Sequence, residues 1–197
     1  MVADGAQVEE EYVWGDVCIH PWEYAVDPFR IAGGTLLSGN RDVSSHLIDT
    51  GAGLILLDTT YPQTLYLFLE SIRRLGFDPA DIRIVVHGHY DHIGGAKAPV
   101  GLTGATTAMG ERDAFILTER PDLSCAREFG AEFHESFILD MSWRDGQSIR
   151  LGDTEIECTN TPGHSPGLYV VSLHSPRRWS GLRRGPARRH RSQHAHG

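Results

Sequence analysis

The stretch His87-Gly88-His89-Tyr90-Asp91-His92 follows directly after the apolar run at positions 82–86. His87 and His89 lie two positions apart, so in an extended backbone their side chains point to the same side. Asp91 and His92 follow where a turn would aim them at a second position. Imidazole nitrogen combined with carboxylate oxygen suits zinc best, and iron or manganese less well. The pattern therefore predicts a metal site at the end of a buried strand.

Two other stretches have the sequence features of segments that would support such a site. Residues 43–50 and 53–59 read as an early β-hairpin whose second strand ends at Asp58. Residues 161–167 read Thr-Pro-Gly-His-Ser-Pro-Gly, so prolines and glycines on both sides make the loop around His164 stiff. Stiffness favours a ligand role, because a misplaced ligand loses metal affinity.

Together these motifs resemble the metallo-β-lactamase superfamily over residues 30 to 173. Because Asp91 is followed by His92, the chain is more similar to the subclass B3 lactamase, glyoxalase II and lactonase branches. The branch that uses a cysteine ligand usually lacks a histidine at this place. The resemblance implies an α/β fold, the αβ/βα sandwich of that superfamily.

The resemblance also implies a set of roles. His87, His89 and His164 would hold one zinc ion and leave its fourth position open for water. Asp91 and His92 would face a second zinc, so we expect one or two ions. Asp91 would also hold or accept the proton of the nucleophile. The implied activity is hydrolysis of a carbonyl compound, a β-lactam, lactone or thioester, by metal-activated hydroxide.

Charge and composition narrow the class of protein. The chain has 197 residues and is 40% hydrophobic, which suits one domain. Residues 1–173 hold all 26 acidic and 11 basic residues, a net charge of −15, which does not favour nucleic-acid binding. We find no signal peptide and no run of apolar residues long enough to span a membrane. We therefore expect a cytoplasmic enzyme with a small-molecule substrate and neither a nucleic-acid nor a membrane partner.

The chain departs from the family pattern near its end. We divide it into an N-terminal extension at 1–29, the metallo-β-lactamase-like domain at 30–173 and an arginine-rich tail at 174–197. The tail has seven arginines and no acidic residue. Three interpretations stay open: out-of-frame translation of a truncated or frameshifted gene, a nucleic-acid-binding arm, or an ordinary disordered tail.

If the second αβ half of the family fold is incomplete in this chain, the site would be affected. Apolar faces of the first half would lose partners, and the second zinc would lose a protein ligand. We expect weak binding of one zinc or an unstable chain, and the alternative function is a non-catalytic zinc-binding remnant.

Periodicity predicts the elements between the motifs. The pattern favours strands at 34–39, 44–50, 54–57, 82–86, 106–109 and 168–173, a hairpin at 148–151 and 154–160, and helices at 62–75 and 111–117. The strand–helix–strand unit at 54–86 predicts two parallel neighbouring strands. Thr59 or Thr60 would cap its helix and Gly76 would end it. We expect a helix after the histidine cluster, interrupted by Pro99 and Gly101. Gly94 and Gly95 would allow close backbone approach beside the metal.

Several further side chains have two interpretations. Asp58 would either fix the tautomer of a ligand histidine or cap the following helix. His46 would serve structural packing, Tyr90 would form a wall of the site, and Cys158 would be a small buried apolar residue. Pocket-lining candidates are Trp22, Trp143 and His134. Three widely spaced cysteines indicate neither a disulfide framework nor a thiolate metal site.

Overall fold

The structure is a computed structural model that describes residues 16–32, 34–86, 90–129, 137–163 and 165–175. Most of the predicted N-terminal extension and of the arginine-rich tail lies outside these ranges. The division into three segments therefore stays a prediction.

The described residues form ten strands and five α-helices. The strands are β1 (Phe29–Ala32), β2 (Thr35–Gly39), β3 (Ser44–Asp49), β4 (Leu54–Leu57), β5 (Ile82–Val86), β6 (Thr106–Gly110), β7 (Met141–Trp143), β8 (Gln147–Leu151), β9 (Thr154–Asn160) and β10 (Tyr169–His174). The α-helices are α1 (Asp16–Ile19), α2 (Leu65–Arg74), α3 (Tyr90–Ile93), α4 (Lys97–Thr103) and α5 (Ala114–Thr118). Short 3₁₀ helices occupy Pro21–Tyr24, Pro62–Thr64, Pro79–Asp81, Pro121–Ser124 and Ala126–Phe129.

The strands form two sheets. The first contains β1 to β7 in sequence order, and the second contains β8, β9 and β10 with β9 in the middle. In the first sheet β1 to β4 pair antiparallel, and β4 to β7 pair parallel. The parallel pairing of β4 with β5 confirms the prediction from the strand–helix–strand unit. An α/β fold with this mixed sheet confirms the predicted fold class.

The middle of the first sheet is buried on both faces, because strand β4 alternates two apolar sets of side chains. In β4, Leu54 and Leu56 pack with α2, whereas Ile55 and Leu57 face the second sheet. Successive side chains of a strand point to opposite faces, so one short apolar strand contributes to both cores. The result is three layers in the described residues: helices, the seven-stranded sheet and the three-stranded sheet.

Helix α2 closes the outer core through one apolar face. Phe68 and Ile72, one turn apart, are fully buried against the sheet, while Tyr66 is 51% exposed. Gly76 ends the helix as predicted, with a positive φ of 90°. The predicted capping by Thr59 or Thr60 is wrong. A 3₁₀ turn precedes the α-helix, and the Thr60 hydroxyl lies 2.7 Å from that of Thr64.

The second sheet covers the other face of the first. The predicted hairpin is present as β8 and β9, paired antiparallel. Ile156 and Cys158 of β9 point inward and are fully buried, while Glu155 and Glu157 alternate with them on the outer face. The outward residues are polar because they meet solvent. Leu173 of β10 points to the same side as Ile156, its partner in register, yet is 36% exposed.

Several elements differ from the predicted pattern. A helix, α4, forms despite Pro99 and Gly101, because proline is tolerated in a first turn, where its missing N–H would have no partner. Gly104 ends α4 in the left-handed region with φ 64°. Strands β1 and β7 were not predicted. Both are short and lie at the two edges of the sheet, where the apolar pattern is weakest.

None of the helices in the described parts of the chain is long and apolar enough to cross a membrane.

The layer arrangement predicts a contrast between two aromatic residues of α2. Phe68→Ala should lower the free energy of unfolding by about 3–5 kcal/mol, because it removes a fully buried ring and leaves a cavity. Tyr66→Ala, on the exposed face, should change it by less than about 0.5 kcal/mol. Urea denaturation of both variants measures the difference. Equal stability of the two would contradict the assignment of the buried face.

Candidate metal centre

The candidate centre lies where three neighbouring parallel strands end. β4, β5 and β6 are adjacent and parallel, so their carboxyl ends meet at one edge of the first sheet. Asp58 follows β4, residues 87–92 follow β5, and Asp113 lies in the turn after β6. Ligands of open α/β sheets characteristically bind outside this edge. The topology thus gathers acidic and histidine side chains from distant parts of the sequence.

Two of the five predicted ligands lie within the described residues. Asp91 and His92 belong to the single turn of α3. His87, His89 and His164 lie outside them. Within the described ranges no group of three or more histidine, cysteine, aspartate or glutamate side chains is arranged to hold a metal ion. The ligand set as a whole therefore stays a prediction.

The spacing of Asp91 and His92 fits a pair of donors to one ion. Nε2 of His92 lies 3.2 Å from Oδ2 of Asp91. Two donors bound to one tetrahedral zinc at about 2.0–2.2 Å each lie about 3.4 Å apart. Both side chains are partly exposed, at 22% and 17%. The two side chains form an ion pair whose N–O distance is close to that between two donors of one zinc ion.

Asp58 forms an ion pair with the opposite side of the same ring. Its Oδ2 lies 3.2 Å from Nδ1 of His92. A carboxylate on the second ring nitrogen is the usual way in which a ligand histidine is oriented. The capping interpretation fails, since neither the 3₁₀ turn from Pro62 nor α2 has a side-chain cap.

The two carboxylates also determine the proton affinity of His92. Burial by itself lowers the pKa of this imidazole, but Asp58 and Asp91 on its two nitrogens raise the pKa to about 10. The ring is therefore protonated at neutral pH when no cation is near. A metal ion must displace that proton, so binding at this pair releases it.

Helix α3 is fixed to the loop that follows β4. The backbone N–H and the hydroxyl of Thr59 donate to the carbonyl of His92 at 2.7 and 2.9 Å. Gly95 donates to the carbonyl of Thr60 at 2.9 Å. A Cβ on Gly95 would lie 2.7 Å from the Thr59 carbonyl oxygen, which confirms the close backbone approach expected there.

The same loop contains two strained residues. Asp58 has φ 65° and Thr60 has φ 59°. A positive φ is uncommon for residues other than glycine and is an outlier for β-branched threonine. Such a conformation costs about 1–3 kcal/mol and persists only where neighbours enforce it. Here the Ser45 hydroxyl donates to the Asp58 carbonyl at 2.5 Å, which helps to hold the residue beside His92.

The loop around position 164 is a hydrogen-bonded turn on both sides of the histidine. Thr161 donates to the carbonyl of Leu168 at 2.8 Å, and Gly163 donates to that of Ser165 at 3.2 Å. Asp113 accepts hydrogen bonds from Ser165 and Gly167. The described part of this loop therefore packs on the end of β6, at the same edge of the sheet as Asp58.

A cavity of about 430 Å³ opens between the two sheets beside this edge. Asp58 and Gly110 line it near the strand ends, and mainly apolar side chains of β3 and β10 form its walls. Trp143 lines it and is fully buried, in agreement with its predicted pocket role. His46, which we assigned to packing, is half-buried and also lines it.

The other candidate wall residues do not lie at this cavity or are not described. Trp22 is 60% exposed on the 3₁₀ turn near the amino end and contacts His20 edge-on at 5.6 Å. His134 and the side chain of Tyr90 lie outside the described residues. Cys158 is buried between the sheets, and burial raises the pKa of its thiol to about 12, as expected for an apolar role.

Sequence reasoning missed Asp113, Thr59 and the hydroxyl of Ser165. Asp113 was assigned to a helix at 111–117, whereas α5 begins at Ala114 and Asp113 precedes it in the turn after β6. A signal was present in principle, because an acidic residue just past the third parallel strand lies at the ligand-binding edge. The partners of Thr59 and Ser165 depend on tertiary contacts that have no local pattern.

A comparison with known protein families identifies the family of this chain. Residues 38–178 match the model of the metallo-β-lactamase superfamily. The chain belongs to that superfamily.

Solved structures place it near one subclass. BJP-1, a subclass B3 metallo-β-lactamase of Bradyrhizobium japonicum, is 30% identical with a TM-score of 0.69, covering 80% of this chain and 60% of that protein. LRA-12, a class B3 di-zinc metallo-β-lactamase from an Alaskan soil metagenome, is 29% identical with a TM-score of 0.71, covering 78% and 59%.

A curated relative has another substrate in its name. The hydroxyacylglutathione hydrolase GloC of Haemophilus influenzae is 28% identical over 88 residues, covering 44% of this chain and 41% of GloC. The matches span about 41–46% of the length of these curated relatives.

The close approach of α3 to the β4 loop predicts opposite effects at two glycines. Gly95→Ala should lower the free energy of unfolding by about 1–3 kcal/mol, because the new Cβ meets a backbone carbonyl that cannot move freely. Gly101→Ala, inside α4 with nothing within 4 Å of the new Cβ, should raise it by about 0.5–1 kcal/mol.

Chemical denaturation of the two variants beside the unsubstituted chain gives both values. The packing of α3 on the loop would be wrong if Gly95→Ala were as stable as Gly101→Ala.

Proposed function

We propose that this chain is a zinc-dependent hydrolase that attacks a carbonyl group with metal-activated water. The observation that carries the proposal is the arrangement of Asp91, His92 and Asp58. A carboxylate and an imidazole lie at ligand spacing, and a second carboxylate holds the far side of the same ring. The arrangement lies at the carboxyl edge of a parallel sheet in a metallo-β-lactamase fold.

The proposed ligand set divides between two positions. His87, His89 and His164 would hold one zinc, and Asp91 with His92 would contribute to a second. Nitrogen and oxygen donors of this kind are those that zinc prefers. The similarity to LRA-12, which is described as di-zinc, supports a capacity for two ions.

The residues of the chain divide the chemical work. Zinc, when bound, supplies the positive charge that brings the pKa of a coordinated water near 7 and polarises the substrate carbonyl. Asp91 accepts the proton that the attacking water loses, since its carboxylate is accessible beside the metal position. Asp58 keeps His92 oriented, and the Thr59 contacts keep α3 in place. Each of these groups is positioned before substrate arrives, so little reorganisation is needed.

The relatives point to a class of small acyl substrates. BJP-1 and LRA-12 are β-lactamases, and GloC is named for hydroxyacylglutathione, a thioester. We therefore propose a β-lactam, lactone or thioester. The mainly apolar cavity beside Asp58 would accept the apolar part of such a molecule. We also propose a cytoplasmic location and no nucleic-acid partner, consistent with the net charge of −15 over residues 1–173.

A second candidate is zinc binding without turnover. It is favoured by the open side of the cavity, where Leu173 and Val170 of β10 are 36% and 54% exposed. An open wall would let water into the site and weaken the electrostatic effects on which catalysis depends.

Hydrolysis and zinc content test the proposal together. Chain purified with zinc should hydrolyse at least one member of a panel of a chromogenic β-lactam, lactones and a thioester. Activity should vanish with a chelator and return when zinc is restored, because the metal supplies the charge for the reaction.

His87→Ala and His164→Ala serve as variants with one ligand removed. Both should lose most bound zinc, as measured by metal analysis after dialysis. Hydrolysis that persists in chelator would refute the zinc mechanism. Zinc lost on substitution of either histidine, with no substrate turned over, would establish the second candidate.

Asp58 provides a further prediction at the described pair. Asp58→Asn should weaken zinc binding about 10–100-fold, because the ring of His92 loses its charged partner. Asp27→Asn is the matched control, since it removes the same charge from an 88% exposed side chain paired with Arg74. Competition with a coloured chelator gives both affinities. Equal values for the two variants would remove Asp58 from the site.

A further inference from the structure

Asp113 is a buried carboxylate that the proposed chemistry does not use. Its side chain lies in the turn between β6 and α5, and the residue is 1% exposed. A buried carboxylate is costly unless donors surround it. The donors here are the Ser165 hydroxyl, 2.5 Å from Oδ2, and the Gly167 backbone N–H, 2.8 Å from Oδ1. Both come from the loop between β9 and β10.

The turn that presents Asp113 is itself fixed. Its N–H donates to the carbonyl of Gly110 at 2.9 Å, and its own carbonyl accepts from Ile116 at 2.9 Å. These two hydrogen bonds therefore fix the turn that connects β6 to α5. A Cβ on Gly167 would lie 2.5 Å from Cγ of Asp113, so the loop approaches the carboxylate as closely as glycine permits.

Both donors lie just after the third predicted histidine in the sequence. Ser165 follows position 164 directly, and Gly167 comes two residues later. Ser165 is 3% exposed, and its carbonyl accepts from Gly163 on the other side of position 164. One carboxylate thus determines where this loop leaves the second sheet and meets the first.

We propose that Asp113 is a positioning residue, which acts through Ser165 and Gly167 to hold His164 at the metal. The inference rests on the proposed function. Each of the three adjacent parallel strands then contributes one part: Asp58 after β4 orients His92, the cluster after β5 supplies ligands, and Asp113 after β6 anchors the loop of the remaining ligand. Charge-assisted hydrogen bonds are short and directional, as positioning requires.

The experiment is a double-mutant cycle on zinc affinity. The single variants are Ser165→Ala, Asp113→Asn and His164→Ala, and Ser165→Ala is also combined with His164→Ala. Affinity is measured by chelator competition, and the visible spectrum of the cobalt-loaded protein reports the ligand geometry. Thr107→Val is the structural control. It removes a buried hydroxyl that donates to the carbonyl of Ile138 and hydrogen-bonds the Asp140 carboxylate. Thr107 lies near the start of β6, away from the end of the strand at which the site lies.

Ser165→Ala should weaken zinc binding about tenfold or more and alter the cobalt spectrum. In the His164→Ala background the same substitution should change affinity by less than about twofold, because its effect passes through that ring. Asp113→Asn should weaken binding in the same direction. Thr107→Val should lower stability and leave affinity unchanged.

The inference is overturned if Ser165→Ala and Asp113→Asn lower stability while zinc affinity stays within about twofold of the unsubstituted chain. It is equally overturned if Ser165→Ala weakens binding as much without His164 as with it. If His164→Ala itself leaves affinity unchanged, the proposed function fails and the positioning role fails with it. The result for this one variant separates the two failures.

Discussion

The structure depends on the parallel pairing of β4, β5 and β6. Parallel strands end at a common edge, so residues far apart in sequence come together there without any direct attraction between them. Asp58, the α3 pair and Asp113 lie at that edge because each follows its strand by a few residues. Strand β4 contributes apolar side chains to the cores on both faces of the sheet, and this burial holds it between the layers.

Backbone contacts fix the positions of side chains that strand pairing places only approximately. The N–H and hydroxyl of Thr59 hold the carbonyl of His92, and the absence of a side chain at Gly95 lets the two segments meet. The positive φ values of Asp58 and Thr60 show that this loop is held away from its preferred conformation. Strain of this kind, here beside Asp91 and His92, is typical of functional sites.

The second sheet contributes to the inner core and supports one loop of the candidate centre. Its hairpin closes the inner core, and its β9–β10 loop reaches back to Asp113 on the first sheet. One side of the interlayer cavity stays open along β10, where inward-facing Leu173 keeps contact with solvent. The candidate centre is therefore well supported on the side of the first sheet and less enclosed on the side of the second.

Much of the fold could be read from local pattern. Alternation and apolar runs marked β3, β4, β5 and the β8–β9 hairpin, and the strand–helix–strand unit implied parallel pairing, because these features depend on residues near one another in sequence. Short edge strands β1 and β7 escaped detection since few of their residues are buried. Helix α4 forms without the interruption expected at Pro99, because proline is unfavourable in helix interiors and not in a first turn.

The candidate site divides in the same way. The sequence by itself determined the donor types and their grouping at 87–92 and 164, since ligand chemistry is a property of side chains and close spacing is local. Only the tertiary structure decided that Asp58 faces His92, that Thr59 donates hydrogen bonds to α3, and that Asp113 accepts a hydrogen bond from Ser165. Those contacts join segments 33 to 52 residues apart, and their geometry follows from how strands stack, which no short stretch of sequence encodes.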